Sequence, residues 1–191
     1  VLFRGRGIDW IAIPATVAGM VDAAIGGKTG INMDSGKNLF GAFHSPKRVI
    51  VDTSWLETLS QRDRAAGLAE SVKCGFIRDE KILQLVESDP LMNIVEIIER
   101  SIKVKADVVS ADFREEGERE ILNYGHTLGH AIERHSGYSM RHGEAISIGL
   151  VFAAKLSQRF GLNNQTVDRH SKILQQLGLP TSYESSAWPE L

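Results

Sequence analysis

Four of the chain's six histidines fall within NYGHTLGHAIERHSGYSMRHGEA, Asn123 to Ala145. His126 and His130 form an H-x-x-x-H pair, about 6 Å apart along a helix axis. Neutral imidazoles at that spacing can share one metal ion, or one can bind metal while the other moves protons. A zinc-protease H-E-x-x-H needs glutamate directly after the first histidine; Thr127 stands there, which disfavours a metalloprotease. His142 would lie about 24 Å from His126 along an unbroken helix. It can meet His126 only if the chain reverses in HSGYSM, His135 to Met140, where Gly137 marks a break. His135 falls in that turn and is expected to be exposed and without a role.

A hard or borderline cation also takes carboxylate oxygen. GLAESVKCGF, Gly67 to Phe76, offers Glu70 with Lys73 one turn on, among Ala66, Ala69, Phe76 and Ile77. This is either a structural ion pair at a helix interface or part of a site. A Glu-His-His set around zinc leaves a fourth position open for water or substrate. Arg119, Asn123, His126 and His130 are spaced to share one face of a helix over 117–135, opposite Ile121, Gly125, Leu128 and Ile132. Arginine, asparagine and paired histidines are poor choices for a face that only needs wetting. In the helix expected over 92–111, Lys105 completes the apolar stripe of Ile94, Ile98, Ile102 and Val109. It either snorkels to the surface or, with Lys73 and Arg119, makes a cationic wall suited to a carboxylate or phosphate.

The elements that would position these groups change character near Ser60. Before it the chain is glycine-rich, with β-type runs at Ile8–Ala15 and Arg48–Asp52. Between them, DAAIGGKTG (Asp22 to Gly30) is a near miss for the G-x-x-x-x-G-K-[ST] phosphate loop. Asp22 replaces its first glycine, and INMDSGKN does not continue as a helix, so a nucleotide triphosphate loop is rejected. Lys28, Lys37 and Asn38 still suit anionic oxygens, on backbone that glycine lets approach closely. SQRD, Ser60 to Asp63, has capping-box form and opens a helix through about Ile77. Further helices are expected at 80–87, 142–160 and 165–177, the last stopped by Gly178 and Pro180. An α/β part thus leads into an all-helical one, and the β part is too small to close a sheet by itself.

With 42% hydrophobic and 24% charged residues the chain has the composition of a soluble globular protein. A net charge of −2 gives no footprint for nucleic acid or an acidic membrane surface. The longest apolar run, Ala145 to Leu156, is short of the roughly 20 residues that span a bilayer. The single cysteine, Cys74, excludes an intrachain disulfide and fits a reducing cytoplasm.

VDAAIGGKTGIN, GKNLFGAF, GLAESVKCG, LNYGHTLGHAIE and RHGEA together resemble the 3-dehydroquinate synthase family, in order and spacing from about Arg6 to Leu162. The resemblance implies an α/β piece of a Rossmann-like NAD-binding domain over 1–59, then a multihelical metal- and substrate-binding domain over 60–191, usually as a homodimer. It implies a lyase that converts 3-deoxy-D-arabino-heptulosonate 7-phosphate to 3-dehydroquinate, with NAD oxidising the substrate transiently. Carried over by motif, Glu70, His126 and His142 would hold zinc, or cobalt, and His130 would be the acid/base group. Lys73, Lys105, Arg119 and Asn123 would hold the substrate, with Glu115 orienting them. Lys28 and Asn38 would lie between cofactor and phosphate, and Arg6 would reach a phosphate across the dimer. Thr16, Asp22, Lys28, Lys37 and Thr58 would contact NAD. Departures from the family pattern are Ala15-Thr16, Ala23-Ala24, Cys74 and Phe113. A glycine-rich loop before Arg6 and a D-K-K segment beyond Leu191 are also expected, so the chain reads as a fragment. The competing readings are a related sugar-phosphate cyclase, a metal-dependent glycerol-type dehydrogenase, and a metal-binding dimerisation domain without activity.

Overall fold

In the structure, a computed structural model, residues 8–33 and 36–191 are described, those from 31 to 40 by their backbone alone. Arg6 lies outside the described residues, as do the side chains of Lys37 and Asn38.

Two helices buried almost all round organise the molecule. Helix α1, Gln61–Ile77, begins where the Ser60 hydroxyl accepts the Asp63 amide at 3.1 Å. The reciprocal half of the expected capping box is not made. Asp63 instead receives the Ser60 hydroxyl and Arg141 Nε, each at 2.5 Å. Every residue of α1 from Ala66 to Gly75 is buried, the pattern of a helix with neighbours on all sides. Those neighbours include α2 (Glu80–Ser88), α3 (Ile94–Ala111), α5 (His142–Ser157) and α6 (Asn164–Gln176). Helix α5 is likewise buried from Gly143 to Val151. The principal core joins Leu68, Val72, Ile82, Ile97, Ile146, Leu150 and Ile173 to Val17, Met20 and Val21 from the first part of the chain. Each such side chain contributes roughly 1.5–3 kcal/mol by leaving water.

Helices α1 and α5 cross in backbone contact. A Cβ on Gly143 would lie 1.8 Å from the Ala66 carbonyl oxygen, so only glycine permits the crossing. Paired ions clamp it: Arg62 donates to both Glu144 oxygens at 2.5 and 2.8 Å, and Arg141 reaches back to Asp63.

The single helix expected over 117–135 is in fact two pieces. A 3-10 turn, Glu118–Asn123, is followed by Tyr124, Gly125 and then helix α4, His126–His135. Gly125 has φ +77°, a left-handed conformation open to glycine at little cost. Its spacing puts it in an apolar stripe, yet its role is close approach: a Cβ there would meet the Leu150 amide at 2.7 Å. Arg119 and Asn123 therefore do not continue the face of His126 and His130. The turn that carries them is held instead by Asp112, whose carboxylate accepts the amides of Glu116, Gly117 and Arg119. The reversal expected near Gly137 is present, with Gly137 at φ +59° and Tyr138 at φ +61°.

In the first part, only Ile11–Ala12 (β1) and Arg48–Val49 (β4) of the expected strands pair, in parallel. Ile31–Met33 (β2) and Gly36–Phe40 (β3) pair antiparallel, in a stretch where no helix was expected. Ile8, Ile11, Ile13 and Ile50 remain exposed around the parallel pair. Among the described residues no helix is long and apolar enough to cross a membrane.

Candidate active site

Helix α1 presents Glu70 and Lys73, α4 presents His126, His130 and Glu133, and α5 presents His142 at its first turn. Glu70 is 1% exposed and Lys73 2% exposed. The Lys73 ammonium lies 2.5 Å from Glu70 Oε2. The other oxygen, Oε1, lies 3.2 Å from His142 Nε2 and 3.5 Å from His126 Nε2. Neither carboxylate oxygen has a well-directed hydrogen-bond donor, although both are buried. Burial alone would raise the Glu70 carboxyl, but Lys73 and the two imidazoles overcome it and hold it well below the usual carboxylate range.

The two histidines are held differently. His126 Nδ1 lies 3.1 Å from the Tyr124 carbonyl, which can only accept, so Nδ1 carries the hydrogen. Burial, with Lys73 nearby, pushes this imidazole down to about 4. Its Nε2 lone pair then faces the unsatisfied Glu70 oxygen, two acceptors toward each other. His142 has a carboxylate at each ring nitrogen: Glu70 at Nε2 and Glu133 Oε2 at Nδ1, 3.3 Å away. Burial opposes its protonation, but Glu133 and Glu70 carry it up to about 9.

This donor set fits a divalent cation. A neutral imidazole and a second imidazole with a carboxylate at its far nitrogen each bring Nε2 within 3.5 Å of one buried carboxylate oxygen, Glu70 Oε1. His130 joins the cluster as well: one nitrogen each of His126, His130 and His142 lies within 4.8 Å of the others. Its side chain is 44% exposed, on the solvent side of the group.

The remaining expected residues are held by polar partners of their own. Lys105 does not snorkel; it is buried, with Nζ 2.5 Å from the Asp22 carbonyl and paired to the Asp22 carboxylate. Arg119, also buried, donates to the carbonyls of Phe113 (2.5 Å) and Gly26 (3.0 Å), and so supports the glycine turn. Glu115 pairs with Lys28 and accepts from Asn123 Nδ2 at 3.0 Å. Burial raises the Glu115 carboxyl, but Lys28 and Asn123 bring it below its ordinary value. Glu115 sits at φ +63°, a strained position for a residue with a side chain. The hydroxyls of Thr16 and Thr58 serve local turns, accepting from Gly19 and donating to Trp55. His135 is half-buried rather than exposed: its Nδ1 meets the Tyr183 hydroxyl at 2.9 Å, and Glu190 lies 3.4 Å from Nε2. It fastens the end of the chain to α4.

Glu133 was not anticipated. Its signal was legible, since H-x-x-x-H-x-x-E brings it back to the face of His126 and His130. Arg62, Arg141 and Glu144, which hold α5 in place, were also missed.

Residues 3–66 match the family described as 3-dehydroquinate synthase N-terminal, and residues 67–191 match 3-dehydroquinate synthase C-terminal. The chain belongs to the 3-dehydroquinate synthase family. It is 54% identical to the 3-dehydroquinate synthase of Streptomyces avermitilis, over 97% of this chain and 53% of that protein. It is 56% identical to that of Thermobifida fusca, again over 97% of this chain and 53% of the relative. The chain thus spans about half the length of the curated relatives it matches. Among solved structures, a 2-deoxy-scyllo-inosose synthase complexed with carbaglucose-6-phosphate, NAD+ and Co2+ superposes with TM-score 0.86 at 32% identity, covering 97% of this chain and 54% of that one. The 2-epi-5-epi-valiolone synthase ValA of Streptomyces hygroscopicus, with NAD+ and Zn2+ bound, gives TM-score 0.86 at 26% identity, covering 92% and 51%. The family's fold in this chain is mostly helical and shared with these sugar-phosphate cyclases.

Proposed function

We propose that this chain supplies the metal- and substrate-binding part of a 3-dehydroquinate synthase. That enzyme converts 3-deoxy-D-arabino-heptulosonate 7-phosphate to 3-dehydroquinate, breaking a carbon–oxygen bond to release phosphate without net oxidation. The observation that carries the reading is Glu70, a buried carboxylate between Lys73 and the Nε2 atoms of His126 and His142. The 54% identity to curated synthases, against 32% to the inosose synthase, favours this cyclase over its relatives.

Glu70, His126 and His142 would hold zinc or cobalt, which when bound supplies a Lewis acid for substrate hydroxyls. His130, open to solvent beside them, would move a proton at Nε2. Lys73, Lys105, Arg119 and Asn123 would hold the carboxylate and hydroxyls, and Glu115 would aim Asn123 and Lys28. Lysine and arginine at these positions suit an anionic substrate better than a small neutral alcohol, which disfavours a glycerol-type dehydrogenase. Lys28, whose side chain is half exposed, would meet the phosphate and cofactor end, with Arg6 and Asn38.

Residues 1–59 would complete a Rossmann-like NAD-binding domain, and the exposed isoleucines around β1 and β4 suit a sheet that continues onto further strands. Thr16, Asp22, Lys28, Lys37 and Thr58 would contact NAD. Such contacts would draw on groups that now serve local turns at Thr16 and Thr58 and ion pairs at Asp22 and Lys28. Residues 60–191 would form the helical domain, in a homodimer working in the cytoplasm. Phosphate release from the heptulosonate phosphate, with NAD and zinc, by the protein carrying this chain tests the reading. Release with 3-dehydroquinate as product supports it. A different cyclic product, net NADH accumulation or no turnover would contradict it.

A further inference from the structure

We propose that Glu133 is a positioning residue that fixes His142 for a divalent cation and strengthens its hold. This rests on the metal reading above. Glu133 is 3% exposed on α4, and its Oε2 lies 3.3 Å from His142 Nδ1. The opposite ring nitrogen, Nε2, faces Glu70 at 3.2 Å. Glu70 and Glu133 thus face opposite nitrogens of one ring. Glu133 faces Nδ1 as a charge partner, its Oε2 outside well-directed hydrogen-bond geometry; by taking the Nδ1 hydrogen it would fix the tautomer and ring plane and make Nε2 the better donor.

The counterpart on His126 is a backbone carbonyl, that of Tyr124, at 3.1 Å. The two imidazoles are thus unequal: one is backed by a neutral dipole and the other by a charge. Glu133 also approaches His130 Nε2, at 3.9 Å, too far for a direct hydrogen bond. Of the two approaches, that to His142 is the shorter. The placement follows from two elements already described. The turn at Gly137 folds α5 back beside α4, and the Gly143 crossing fixes how deeply the first turn of α5 enters.

The test is cobalt(II) titration followed by its visible absorption, with chelator competition for zinc, on Glu133→Gln, Glu133→Ala and Glu70→Ala. Loss of an outer carboxylate of this kind weakens metal binding about 10–100-fold. We expect that loss in Glu133→Ala and a smaller one in Glu133→Gln, with an altered cobalt spectrum in both. Glu133→Gln keeps the shape of the side chain, so it carries the test if the alanine variant does not fold. Parental affinity and spectrum in folded Glu133→Gln and Glu133→Ala would overturn the proposal. Undiminished cobalt binding by Glu70→Ala would instead sink the metal reading beneath it.

Discussion

Glu70 Oε1 lies 3.2 Å from His142 Nε2, joining the middle of α1 to the first residue of α5. That contact depends on a crossing with no room for a side chain, and on ion pairs at either side of it. The site and the core are therefore the same piece of packing.

The crossing predicts that Gly143→Ala destabilises the fold. The new methyl would press on the Ala66 carbonyl at 1.8 Å, a clash that only a shift of backbone relieves. Overpacking of this sort costs about 1–3 kcal/mol or more. Denaturant unfolding should register the loss, and metal affinity should fall with it, because α5 must move away from Glu70. A stable variant that binds metal normally would show the crossing to be looser than described.

Gly125→Ala and Gly137→Ala make a matched pair. Both glycines have positive φ, +77° and +59°, so each alanine carries a left-handed penalty of about 1–2 kcal/mol. Only at Gly125 does the Cβ also collide, with the Leu150 amide at 2.7 Å; at Gly137 nothing lies within 4 Å. Thermal melts should therefore rank Gly125→Ala clearly below Gly137→Ala. Equal losses would mean that the Gly125–Leu150 contact relaxes freely.

Lys73→Ala should cost about 3–5 kcal/mol, because it strands a buried carboxylate. Replacing both members, as Glu70→Gln with Lys73→Met, should recover much of that stability while leaving no metal site. Chemical denaturation of the single and double variants checks this. An additive double variant would indicate that the two charges, 2.5 Å apart, do not interact.

His170 gives the fold an acid-side limit. It is buried on α6, accepts the Tyr124 hydroxyl at Nε2 (2.9 Å), donates from Nδ1 to the Thr166 carbonyl (2.7 Å) and stacks on Phe76. Burial lowers it from 6.5 to about 4, so the unfolded chain binds a proton more readily than the folded one between those values. Its contribution is complete above pH 6.5 and is lost as the pH falls toward 4, a loss on the order of 3 kcal/mol. Stability against pH for the parent and His170→Gln measures it. Parallel curves over that window would contradict the assignment.

Helix α1 was legible because its start is a local signal: Ser60 caps the Asp63 amide as the residue types demand. The pairing of His126 with His142 could be foreseen only conditionally, since it needed a reversal that Gly137 permits but does not by itself dictate. The break at Gly125 was not legible. Glycine at a helical interval looks like a small member of an apolar stripe, and the backbone of α5 that makes it necessary is remote in sequence. Lys105 was ambiguous for the same reason. Its partner Asp22 comes from a glycine-rich segment, and only the folded chain brings their opposite charges together.

In the proposed arrangement Glu70, His126 and His142 form the metal site while His130 stands outside it. Zinc content by elemental analysis, after reconstitution of the parent and of Glu70→Ala, His126→Ala, His142→Ala and His130→Ala, tests it most directly. Roughly one zinc per chain is expected in the parent and in His130→Ala, and loss of zinc in the other three. Zinc lost from His130→Ala but kept in Glu70→Ala would contradict it and point to a site made of the three histidines.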